Sequence, residues 1–309
     1  MADASAWTRP RAQATYPEAL LSAGEDPTSP RVMNRGVTLV LGAVLGYLAL
    51  YFAGSHAVAG LGWLVEGRPG SYSSFYDHAV RGFGSPWGIW AAHVGLALLV
   101  VLAWAAYRFF IRRRMAWFWS VMPGVRWRYG IAALLVAAAV FGGYAGASFA
   151  LGPGWDPPAG WGWYLLAIVV TSPLQALGEE VLFRGYLMQA FGLIMRRPWF
   201  PIVSSAAVFA LFHGAQDMWL FLSRFAFGLL AGTLVWLTGG LEAGIAAHAL
   251  NNLCAFGLAL SSGGLTETRT VTSITPLVAL ADVGLFAIFA LAAWGVARAM
   301  RVPRRAPAL

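Results

Sequence analysis

The sequence predicts an all-α fold, a polytopic membrane helix bundle of about eight transmembrane helices. Three observations carry that prediction. Of 309 residues, 59% are hydrophobic and 11% are charged, against about 25% charged in a soluble domain. Apolar runs of the roughly 20 residues that a hydrocarbon core requires recur at about 37–64, 86–110, 129–151, 161–182, 199–214, 219–238, 242–261 and 276–297. Most of the basic residues fall on alternate connections between these runs, as an even number of crossings requires.

In chain order, residues 1–34 combine Pro10, Pro17, Pro27 and Pro30 with Ser, Thr, Glu and Asp and carry no sustained apolar period, so a mobile cytoplasmic tail is expected. The first apolar run starts too far from Met1, and is too long, for a removable secretory signal. It is expected to remain as a span. Residues 35–155 would hold the first three helices and 156–262 a membrane core carrying the chemistry. Residues 263–309 would hold the last helix and a basic tail.

All 21 basic residues are arginines, and the net charge is +8. Arg9, Arg11, Arg31 and Arg35 precede the first span, and Arg112, Arg113, Arg114, Arg126 and Arg128 separate the second from the third. Arg196 and Arg197 follow the fourth, and Arg298, Arg301, Arg304 and Arg305 follow the last. That placement is topological: it predicts both termini in the cytoplasm and the bilayer, not nucleic acid, as the partner of the charge. Tryptophans near span ends, such as Trp87, Trp161, Trp199 and Trp219, fit interfacial anchors. Cys254 is the only cysteine, which excludes an intrachain disulfide and a cysteine metal cluster.

An ionisable residue inside a span costs at least about 2.5 kcal/mol, and this chain concentrates such residues in one region. The fourth run ends Gly178-Glu179-Glu180-Val181-Leu182-Phe183-Arg184, the fifth ends Phe209-Ala210-Leu211-Phe212-His213, and the seventh contains His248-Ala249-Leu250-Asn251-Asn252. Glu180 and Arg184 are four apart, acid first, and share a helix face as an ion pair. Glu179 is turned about 100 degrees away. It is expected to be a free carboxylate in poorly solvated surroundings, a suitable general base near neutral pH. His248 and Asn252 share a face one turn apart and can supply two oxyanion donors. His213, at the end of its run, is suited to holding a water with Glu179.

Together EExxxR at Glu179–Arg184, FxxxH at Phe209–His213 and HxxxN at His248–Asn252 resemble the CAAX prenyl protease and bacteriocin-processing family, glutamate-dependent intramembrane endopeptidases of the Rce1-like type. The resemblance covers residues 160–262; the first three spans share only hydrophobicity. It implies an eight-helix fold and peptide-bond hydrolysis without cofactor or metal, on a membrane-associated protein or peptide substrate. It also makes the roles specific: Glu179 as general base, His213 holding the water, His248 and Asn252 stabilising the oxyanion, and Glu180 with Arg184 as supporting pair.

Each motif alone has a structural reading: a helix ion pair, a core histidine bonded to a carbonyl, an interhelical asparagine. Their order and joint spacing favour the catalytic one. Arg224 would snorkel or pair with Glu180, Glu242 would complement a helix dipole, and Asp217 would face water. No role is assigned to His56, His78 or His93. Glu179, His213 and His248 could supply three zinc ligands, yet the HExxH signature is absent, and the metal-free mechanism is favoured. Two other classes compete: a non-catalytic scaffold or bacteriocin-immunity protein on the same fold, and a transporter, whose internal repeats are missing. The family resemblance leaves prenylated CAAX proteins, peptide pheromones or bacteriocins, and C-terminal sorting anchors as substrates. Arginine-only, Ala- and Gly-rich composition fits a GC-rich bacterium and its cytoplasmic membrane, and points away from the prenylated class.

Overall fold

The structure, a computed structural model, describes residues 10–22, 25–26, 28–152 and 154–307. Among the described residues, seven helices are long and apolar enough to cross a membrane: α1 (Pro30–Val65), α2 (Pro86–Ile111), α3 (Trp127–Leu151), α4 (Trp161–Ile194), then α6 (Met218–Thr238), α7 (Glu242–Ser261) and α8 (Pro276–Ala299). Between α4 and α6 lies the shorter α5 (Trp199–Leu211). The fold is an all-α membrane bundle, and among the described residues only two isolated β-bridges interrupt it. The fifth apolar run is shorter as a helix than as a hydrophobic stretch. Its chain leaves the helix at Phe212, and Gly214 adopts the left-handed conformation (φ +81) that turns it away.

Contacts between connections sort them onto two faces. On the face of the termini, Gln13 N donates to Ala306 O and Ala306 N to Ala14 O, Val121 N donates to Gly239 O, and Arg113 Nη2 donates to Leu20 O. Arg126 pairs with Glu242 at 2.5 Å and also donates to Pro303 O, and Arg196 pairs with Glu18. On the other face Asp156 N meets Ser261 O, Asp217 N meets Thr272 O, and Thr266 Oγ1 donates to Gly82 O. Both described ends of the chain therefore lie on one face, and α5 with its following loop counts as a crossing despite its length.

The expectation of a mobile tail over residues 1–34 needs correction. Residues 1–9, Arg9 among them, lie outside the described residues, but Ala14, Tyr16, Leu20 and Leu21 are buried, and the Tyr16 hydroxyl donates to Phe118 O. The apolar side chains of this segment are too few to show a period, yet they fill a groove that only the folded bundle creates. Pro30 also stands at the first turn of α1, with Ser29 capping Arg31 N, so the helix begins inside the expected tail.

Helix α4 is the central element. Without a hydrophobic drive between helices in lipid, close packing holds the bundle, and Gly178 shows how. A Cβ there would collide with Leu96 O of α2, so only glycine lets these backbones approach. Pro173 sits inside α4, and Val181–Leu187 widen into a π-helical turn. Such turns recur at functional sites, and this one directly follows the two glutamates. Phe183, Phe209 and Phe227 bring α4, α5 and α6 into one aromatic core.

Candidate active site

Arg184 Nη1 lies 3.0 Å from Glu180 Oε1, and neither side chain is exposed. The guanidinium carbon is also 4.2 Å from the ring centroid of Phe209 and 4.8 Å from that of Phe227. One carboxylate and two aromatic faces thus take the place of water around a buried cation. The first residue of the FxxxH motif is a platform for the arginine of the first motif.

His248 of α7 enters between the two glutamates. Its Nδ1 is 2.9 Å from Glu180 Oε1 and its Nε2 is 3.3 Å from Glu179 Oε2. Gly244, one turn earlier, makes room, since a Cβ there would press on Glu180 Oε2. Glu179 is therefore not the free carboxylate that intrahelical spacing suggested: its partner comes from another helix, which spacing along α4 cannot reveal. Ionised carboxylates only accept hydrogen bonds. With Nδ1 donating to Glu180, the close approach of Nε2 and Glu179 requires a proton between them, on the imidazolium or on the carboxyl. Fully charged, the cluster of two carboxylates, one guanidinium and one imidazolium is neutral, which lowers the cost of burying it.

The remaining site residues sit around this core. Asn252 Nδ2 donates to Gln175 Oε1 at 2.7 Å, and its Oδ1 accepts from Asn251 at 3.2 Å. Neither His248 nor Asn252 is an idle donor, although the second amide hydrogen of Asn252 is uncommitted to Gln175. His213 lies beyond the end of α5, where Nδ1 donates to Phe209 O at 2.8 Å, so the tautomer leaves Nε2 as acceptor. Its ring packs edge-on to Phe209 but makes no hydrogen bond to Glu179. The structure thus joins Glu179, Glu180, Arg184 and His248 directly, links Asn252 through Gln175, and leaves His213 at the margin. Glu179, His213 and His248 do not converge as a ligand set; among the described residues no three such side chains are placed to hold a metal ion.

Gln175 is the residue that motif reading missed. It is buried one turn before Glu179, on the same face, and a four-residue spacing back from the glutamate was the signal available. Other polar groups have local tasks. Asp217 caps α6 by accepting from Leu220 N, Arg224 donates to Gln216 and not to Glu180, and Glu242 is held by Arg126. His93 is buried with Nδ1 2.8 Å from Thr171 Oγ1.

Residues 160–254 match the model of the type II CAAX prenyl endopeptidase Rce1-like family. That interval contains every residue of the cluster. The chain is also 33% identical over 125 residues to the uncharacterized protein YyaK of Bacillus subtilis (strain 168), an alignment covering 37% of this chain and 42% of that protein. It spans less than half the length of that relative.

Proposed function

We propose that this integral membrane protein, whose residues 160–254 form an Rce1-like domain, is an intramembrane endopeptidase using Glu179 as the general base of a metal-free hydrolysis. The observation that carries the reading is the buried Glu179–His248–Glu180–Arg184 chain inside the matched segment. Glu180 and Arg184 fix the imidazole through Nδ1, so that Nε2 is the nitrogen facing the reaction. Water enters between Glu179 and the free Nε2 of His213. Glu179 takes one of its protons as the oxygen attacks the scissile carbonyl carbon. The oxyanion is met by the Nε2 hydrogen of His248 and the second amide hydrogen of Asn252. The proton held on Glu179 then passes to the leaving nitrogen as the C–N bond breaks, and one water has been added across the peptide bond.

The arginine-bearing face that holds both termini is the cytoplasmic one in this reading, and the membrane is the bacterial cytoplasmic membrane. The substrate is a membrane-associated or C-terminally anchored polypeptide. The test compares membranes from cells expressing wild type and Glu179→Gln by cataloguing protein termini. New termini that require Glu179 support the assignment and disclose the substrate. Identical termini at equal expression replace it with the scaffold or immunity reading.

A further inference from the structure

Resting on that hydrolytic reading, we infer that the reaction site opens on the face opposite the chain termini. It therefore cleaves exported, membrane-anchored polypeptides on the outer side of the membrane.

The termini face is closed over the site. A Cβ on Gly185, one turn beyond Glu180, would meet the ring of Phe118 and the side chain of Leu241, and both of these residues are buried. Above them the Val121–Gly239 backbone bond and the Tyr16–Phe118 bond tie the connecting segments together. Past Glu180 in that direction α4 presents Val181, Leu182, Phe183, Tyr186 and Leu187, with Arg184 already committed to Glu180.

Polarity runs the other way. Thr171, Gln175 and Glu179 are spaced four apart, so one face of α4 carries a polar line from Glu179 toward its Trp161 end. His93 and Asn252 bond to Thr171 and Gln175 from neighbouring helices, a costly arrangement in lipid that marks polar pathways.

Helix length supplies the opening. At 1.5 Å per residue α5 rises about 20 Å, whereas its neighbour α6 rises about 31 Å. Gly232 and Gly228 of α6 pack on Ile202 and Ala206 of α5. This places the shortfall beside the Met218 end, away from the termini. There the loop holding His213, Gly214 and Ala215 is exposed beyond the end of α5, while Asn251 and Asn252 are half-buried. With the arginine-bearing face cytoplasmic, that exposed loop lies on the outer side.

Three single-cysteine variants in a Cys254→Ala chain test this: Thr28→Cys on the termini face, Thr268→Cys on the opposite face, and Ala215→Cys in the loop after α5. All three positions are exposed. Intact cells are treated with a membrane-impermeant maleimide, then permeabilised. The expected result is labelling of positions 215 and 268 in intact cells at least tenfold above position 28, which reacts only after permeabilisation. Position 215 reacting together with 28, or not at all in either state, overturns the inference, as does position 28 reacting in intact cells. Labelling requires no turnover, so its outcome is separate from the fate of the hydrolytic reading.

Discussion

Glu180 and Arg184 show what a four-residue spacing can and cannot disclose. The two are neighbours along one helix and form a buried pair, but the ring faces of Phe209 and Phe227 that complete the arginine's surroundings come from α5 and α6. Arg184→Ala leaves Glu180 buried with only His248, and it is expected to destabilise the protein by about 3–5 kcal/mol, measured by unfolding in detergent. Arg184→Lys should recover little, because an ammonium cannot reproduce the planar contact with the rings. Normal stability of Arg184→Ala would refute this role. Gln175→Leu removes the acceptor for Asn252 while keeping bulk. With a net hydrogen bond worth about 1–1.5 kcal/mol, activity should fall about tenfold with little loss of fold. The residue reading of Glu179 as unpartnered failed for a physical reason: its partner His248 approaches across a helix interface.

At the scale of elements, α4 owes its position to residues that a hydropathy profile does not single out. Gly178→Ala would force α2 and α4 apart at Leu96 O and is expected to cost about 1–3 kcal/mol as an overpacked contact. The check is thermal unfolding of the variant beside Gly162→Ala, a position on the same helix with open space around it. Spans were legible because lipid demands long apolar helices and leaves few alternatives. The length of α5 was not, since Phe212 is still apolar after the helix has ended. The π-helical turn at Val181–Leu187 was equally hidden, having no residue signature within an apolar run.

At the scale of the whole molecule, the termini-side segments form one layer across the bundle, and its glutamates set its pH range. Glu18 and Glu25 are partly buried, which by itself would favour their neutral forms. Hydrogen bonds from Thr15 and Arg196 to Glu18, and from Arg35 and Ser22 to Glu25, outweigh burial and hold both carboxyls below the usual glutamate range. Because the folded values are depressed, their stabilisation is complete above the unfolded value of about 4.3 and is lost as pH falls through the folded ones. Hydrogen exchange over residues 10–22 should therefore be slow at pH 6 and faster, after correction for intrinsic rates, near pH 3. Equal protection at both would contradict this docking. The packing of that segment escaped sequence reading because Tyr16 finds its partner Phe118 102 residues away.

The central claim is that Glu179 directs water onto a peptide bond. The most direct measurement places purified wild type and Glu179→Gln in lipid nanodiscs with the substrate identified from cellular termini, in water enriched in oxygen-18, and weighs the products. One heavy oxygen in each new C-terminal carboxyl with wild type, and no cleavage with Glu179→Gln, is the predicted result. Cleavage that persists at the wild-type rate in Glu179→Gln would contradict the account.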